Sequence, residues 1–202
     1  MQLRAQHTQE KILDAAIVEF SEKGFHGARV DAIASAAGVN KQRIYAYYTD
    51  KDTLFAAVLR ECFNTISREE EALMELYEDD LPSLPKRLLT MYMQFHANVP
   101  HFWRLLAWEN LEGARHLPVQ PEGRVAAFFH LRALYQQGQA RGLFKAQVSF
   151  ETFIFLIFSL TSFYHANQQT MSATLGLPLA DSTVREHMLT ELLEVVTKGI
   201  QP

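Results

Sequence analysis

Between Val30 and Tyr48 the chain reads VDAIASAAGVNKQRIYAYY, and no other stretch restricts its fold as much. Ile33, Ala34 and Ala37 follow helical spacing and fall on one face of a short helix. Alanine at two of those positions lets a second helix cross close to the backbone. Gly38 stands where the chain has to turn, and glycine takes a positive φ without steric cost. Val39 points back to the core. Asn40 suits the N-cap of the next helix, since its side-chain oxygen can accept from an unpaired amide. In that second helix Ile44 and Tyr47 share the inward face with Tyr48 beside them, while Lys41, Gln42, Arg43 and Tyr45 point outward. Two short helices about a glycine turn, the second polar and cationic, have the sequence form of a helix-turn-helix. The alternative is a structural hairpin with a solvated face. Small residues at the crossing, the turn glycine, the cap and the clustered cations together favour a surface that enters a DNA groove. Asp50 is placed to cap a further helix. Lys51, in the first turn of that helix, works against the helix dipole and points to an anion such as a phosphate.

The apolar spacing is helical along the whole chain. A first helix is expected from about Thr8 to Lys23, its apolar face given by Ile12, Ala15, Ala16, Val18, Glu19 and Phe20, and stopped by Gly24. A long helix from Asp52 turns acidic at Glu69, Glu70 and Glu71 and breaks before the Asp79–Pro85 segment. Further helices are expected at roughly 84–97, 100–112, 122–139, 149–169 and 183–198. Pro100 suits a first turn, Ser149 an N-cap, and Thr183-Val-Arg-Glu186 has capping-box spacing. The segments 116–121 and 172–181 read as loops.

Composition narrows the class. The 202 residues can bury a core, and 48% hydrophobic with 21% charged residues is ordinary for a globular protein. The lone cysteine, Cys62, excludes an internal disulfide and a thiol metal site, and is read as a small buried hydrophobe. The polar start and the shortness of the apolar run 153–164 suggest neither a signal peptide nor a membrane span, so the chain is expected to be cytoplasmic. No P-loop, Gly-x-Ser-x-Gly, His-Glu-x-x-His or dinucleotide fingerprint occurs, and the histidines are scattered. No enzymatic activity, metal or cofactor is therefore expected. The net charge of −4 is unevenly spread. Through residue 60 eight cations stand against seven acids, and 40–49 holds cations and no acid. Local placement governs phosphate binding.

The chain resembles the TetR family of transcriptional regulators. The resemblance rests on Ile12-Leu-x-Ala-Ala-x-x-x-Phe20, Gly24-Phe25, Ile33-Ala34-x-x-Ala37-Gly38-Val39, Tyr45-x-Tyr47-Tyr48 and Lys51-x-x-Leu54. These span about the first quarter of the chain. Many members carry Thr or Ser just before the second helix, where this chain has Ala28-Arg29.

The resemblance implies an all-α fold. A three-helix helix-turn-helix DNA-binding domain (1–50) would be followed by a larger helical effector-binding and dimerisation domain (51–202). It further implies a homodimer on a near-palindromic operator, most simply as a repressor released by a small-molecule effector. An activator, or a DNA-binding dimer without an effector, are the alternatives. Candidate DNA contacts are Arg29, Lys41, Gln42, Arg43, Tyr45, Tyr47 and Lys51. Arg and Gln can make paired bonds to guanine and adenine edges.

The helix at 153–158 is apolar on every side and so must be buried all round, in part against a second subunit. Phe153, Leu156, Ile157, Leu160 and Tyr164, with Met188, Leu192 and Val195 of the last helix, are the expected interface. Candidate effector contacts are Met91, Phe95, Trp108, Glu109, Asn110, Phe129 and His165. Pockets are mostly apolar with a few placed polar groups.

Overall fold

The computed structural model describes residues 2–202, and among them there are ten α-helices and no strand. They are α1 (Gln2–Gly27), α2 (Val30–Ala37), α3 (Lys41–Tyr47), α4 (Lys51–Glu70) and α5 (Leu84–Asn98). After these come α6 (Pro100–Leu111), α7 (Glu122–Ala140), α8 (Phe150–Ala166), α9 (Gln168–Leu175) and α10 (Ser182–Ile200). Two short 3₁₀ segments, Glu71–Glu75 and Glu78–Ser83, stand between α4 and α5.

The chain forms two compact units. One comprises Met1–Thr65 and His101–Pro121; the other comprises Ile66–Pro100 and Glu122–Pro202. The boundary expected after residue 50 differs for a physical reason. The start of α4 belongs to the core of the first unit: Phe55 is fully buried, its ring 4.9 Å from Phe20 and 5.4 Å from Phe25. Residues 101–121 then return to that same unit.

In the first unit Ile12, Ala16, Phe20, Ile33, Ala34, Ile44 and Leu54 are buried. Each large apolar side chain among them contributes about 1.5–3 kcal/mol by leaving water. Helix α1 is interrupted at Gly24, which has φ 68° and ψ 179°. A Cβ there would lie 2.7 Å from the Trp108 ring, so only glycine lets α6 approach.

In the second unit Tyr135 of α7 stacks between Phe144 (4.9 Å) and Phe153 (5.0 Å). The cap positions largely follow the sequence. Ser149 Oγ accepts from the Thr152 amide at 3.1 Å, and Asp50 accepts from the Thr53 amide at 2.7 Å. Helix α10 is a correction. Its cap is Asp181, which accepts from the amides of Thr183 and Val184, rather than a capping box begun by Thr183. The segment expected as a loop at 172–181 is helical through Leu175.

Candidate nucleic-acid interface

Helix α3 has one buried residue, Ile44, at 1% exposure. That side chain fixes the helix on the unit beneath it. Asn40 Oδ1 accepts from the Arg43 amide at 2.8 Å and closes the helix start. Gly38 takes the left-handed conformation (φ 67°, ψ 32°) and turns the chain from α2 into α3. Lys41, Gln42, Arg43 and Tyr45 are all exposed, as the spacing predicts. One short helix, capped and anchored from below, thus presents four polar or amphipathic side chains to solvent.

Two of these side chains, Lys41 and Arg43, have partners within the chain. Lys41 Nζ donates to Asp31 of α2 at 2.9 Å, a bond that raises the lysine pKa. The Arg43 guanidinium lies over the Tyr47 ring, 5.4 Å from its centre. Tyr47 is half-buried, and its hydroxyl donates to the Ala5 carbonyl at 3.2 Å. Lys51 stands 5.0 Å over the ring of Phe25, and partial burial lowers its pKa.

Arg29 occupies the N-cap position of α2 without a side-chain cap. Glu19 of α1 serves a different amide from those a Thr or Ser cap would take: its Oε1 accepts from the Arg29 amide itself at 3.0 Å. The other carboxylate oxygen accepts from Lys23 Nζ at 2.7 Å. Burial works to raise the Glu19 pKa, but the Lys23 and Arg29 bonds outweigh it and hold the carboxyl below its ordinary value. Glu19 lies ten residues from the position it serves, and nothing in local spacing reveals it.

The candidate effector residues do not form one group. Met91 and Phe95 come together on α5, lining a groove of about 600 Å³ with Leu73, Leu76, Thr90 and Gln94. Trp108, Glu109 and Asn110 belong instead to the unit that carries α3. Trp108 Nε1 donates to the Ser21 carbonyl at 3.3 Å, and Asn110 is exposed. Glu109 is fully buried, with His116 Nδ1 at 3.1 Å from one oxygen and the His116 amide donating to the other. The partner expected of a ligand is thus the chain's own His116, which also stands 3.2 Å from Asp52. Phe129 is 68% exposed on α7, and His165 is buried with Nε2 3.1 Å from the Met93 carbonyl.

A buried polar cluster that sequence spacing does not disclose lies in the second unit. Glu70, with no exposed surface, accepts from the Tyr92 hydroxyl at 2.6 Å and from the Arg124 guanidinium. Burial pushes the Glu70 carboxyl up despite both partners. The same physical effect lowers His96 to about 4 and lowers His165.

The expected interface residues separate by face. Phe153 and Ile157 have no exposed surface and Tyr164 only 6%, so all three belong to the core of the protomer. Leu156 and Val195 are exposed, and so are Phe155 and Phe163 of α8, which lie outside the expected interface set. Leu160, Tyr164, Met188 and Leu192 line an apolar groove of about 340 Å³ with Phe163 and Met171. Among the described residues no helix is long and apolar enough to cross a membrane, and no group of His, Cys, Asp or Glu is arranged to hold a metal ion.

Comparison with known proteins agrees with this geometry. Residues 12–58 match the family of bacterial regulatory proteins called the tetR family, and residues 86–196 match the tetracyclin repressor-like C-terminal domain. The chain is 30% identical to the HTH-type transcriptional repressor NicS of Pseudomonas putida, over 98% of this chain and 94% of that one. It is 35% identical to the HTH-type transcriptional repressor SCO4008 of Streptomyces coelicolor, over 77% of each chain. A TetR family transcription regulator from Marinobacter aquaeolei shares the fold, with a TM-score of 0.70 at 19% identity over 99% of this chain and 98% of that one. An all-helical chain with a capped, cationic second helix on a glycine turn, matched at both ends in this way, belongs to the TetR family: it is a helix-turn-helix DNA-binding transcriptional regulator, not an enzyme, in a family whose members bind operator DNA and act as dimers.

Proposed function

We propose that the chain is a repressor whose dimer places two copies of α3 in successive major grooves of a near-palindromic operator, and that a small-molecule effector bound in the C-terminal region releases it. The observation that carries this reading is the exposed row Lys41, Gln42, Arg43 and Tyr45 on a helix whose one buried residue is Ile44. Lys41, Gln42 and Arg43 are the contacts to base edges and phosphates. Tyr45, Tyr47, Lys51 and Arg29 address the backbone and set the register of the protein on the duplex. Repression is supported by the likeness to NicS and SCO4008, both HTH-type transcriptional repressors.

The second copy docks on the exposed face of α8 and α10. Leu156, Leu160, Met188, Leu192 and Val195 supply it, with Phe155 and Phe163 added. The groove that Met91 and Phe95 line is the place for the effector, since it joins apolar residues such as Leu73 and Leu76 with polar ones such as Thr90 and Gln94. Helix α4 contributes residues to both units, so a change in the second unit can bias the unit that reads DNA.

Selection of bound duplexes from a random pool yields the operator and opens the test. Arg43→Ala is then expected to lose preference for the selected sequence over a scrambled one while remaining dimeric. Retention of that preference would remove α3 from the recognition role. Small molecules screened with the selected duplex are expected to raise the thermal stability of the protein as they release it, since a ligand of the folded state alone stabilises that state.

A further inference from the structure

The helix-turn-helix contains one acid. From Val30 to Thr49 the sole carboxylate is Asp31, in the first turn of α2, and it is bonded to a cation of the recognition row. Lys41 Nζ and Asp31 Oδ2 are 2.9 Å apart, with side-chain exposures of 45% and 74%. Exposure of both groups means that each is open to DNA while bound to the other. The pair ties the start of α2 to the start of α3, so it also fixes where a long and otherwise free lysine side chain points.

We infer that Asp31 is a specificity-determining residue, an internal competitor that occupies the Lys41 ammonium against arbitrary phosphates and yields it only to a correctly placed acceptor. The inference rests on the recognition role proposed for α3.

The physical argument is one of charge. A free lysine on this face would neutralise a phosphate of any duplex and release a counterion, a gain that carries no sequence information. Paired to Asp31, the ammonium approaches a random duplex as part of a neutral couple. To use it on a phosphate the protein must break the pair and leave a carboxylate facing polyanionic DNA. At the matching sequence the same cost is offset, because neighbouring contacts from Gln42 and Arg43 hold the base edges in register and a guanine O6 or N7 can accept from Lys41. The pair therefore weakens binding to all sequences but weakens the wrong ones more. An acidic residue that looks like an error on a DNA-facing surface becomes a source of discrimination.

The test measures binding of two duplexes across a salt series, one selected from a random pool by this protein and one of scrambled sequence. The proteins compared are the parent, Asp31→Asn, Asp31→Glu, Lys41→Ala and the Asp31→Asn/Lys41→Ala double variant. For Asp31→Asn the salt slope on scrambled DNA is expected to steepen by about 0.9, so that from about 50 to about 200 mM salt its affinity falls roughly three- to fourfold further than the parent's. At the low-salt end it binds scrambled DNA tighter, and the ratio of selected to scrambled affinity drops. Asp31→Glu, which keeps the charge and the helix-start preference for an acid, is expected to behave as the parent. In the Lys41→Ala background Asp31→Asn is expected to leave the slope unchanged.

An unchanged slope in Asp31→Asn would overturn the inference. So would the same steepening in the Lys41→Ala background, since Asp31 would then act as a background charge. A loss of thermal stability and of both duplexes in Asp31→Asn, restored by Asp31→Glu, would assign Asp31 to the start of α2 only. If Lys41→Ala alone leaves both duplexes bound as before, the contact role of Lys41 in α3 fails first, which separates that reading from this one.

Discussion

Replacing Gly24 with alanine tests how the DNA-reading unit is closed. Two costs add at this position. Its φ of 68° and ψ of 179° lie in a region populated almost only by glycine, and holding another residue there costs about 1–3 kcal/mol. The new methyl would also stand 2.7 Å and 2.8 Å from two carbons of the Trp108 ring. That ring is tethered through Nε1 to the Ser21 carbonyl at 3.3 Å, so it cannot swing away freely. Overpacking of this kind costs roughly 1–3 kcal/mol. Together the loss is expected to be about 2–6 kcal/mol, a large part of the roughly 5–15 kcal/mol that holds a folded protein together. Urea unfolding followed by far-ultraviolet circular dichroism and tryptophan fluorescence measures it, with affinity for the selected duplex recorded in parallel. In a Trp108→Leu background the steric part is expected to shrink, leaving the backbone cost of about 1–3 kcal/mol. A Gly24→Ala protein within about 0.5 kcal/mol of its parent would refute the argument that glycine is required for α6 to approach α1.

Two further outcomes follow from the same geometry. Because Glu19 has a folded-state pKa below its ordinary 4.5, its contribution is fully present above that pH and is lost as pH falls through the lowered value. Glu19→Gln is therefore expected to flatten the acid side of the stability profile below pH 4.5, and an identical profile would show that the Lys23 and Arg29 bonds do not favour the charged form. Leu156→Asp combined with Leu192→Asp is expected to give monomers in light scattering that no longer hold the selected duplex. A dimer of unchanged mass would move the subunit contact off α8 and α10.

Local signals were legible in the sequence wherever one element carried the whole of them. Asn40, Ser149 and Asp50 cap their helices because a short polar side chain and the amides it serves lie within three residues of one another. The outward row of α3 follows from helical spacing and one aliphatic anchor. Reading failed where the decisive partner is distant in sequence. Trp108 and Glu109 have the composition of pocket residues, yet Gly24, Ser21 and His116 complete them. Asp181 and Thr183 are both credible caps two residues apart, and only the backbone geometry chooses between them. In α8 the apolar residues run right round the helix, so periodicity carries no phase. Phe153 and Ile157 turned inward, while Phe155 and Phe163 were left on the outside.

The return of residues 101–121 to the first unit has a consequence for synthesis. Domains usually fold as units in the order they leave the ribosome, at about 5–20 residues per second. Here the recognition helix is made early, but the unit beneath it waits for Trp108 and His116, and residues 66–100 must emerge in between. A message cut short anywhere before codon 121 would encode α3 on an unfinished base.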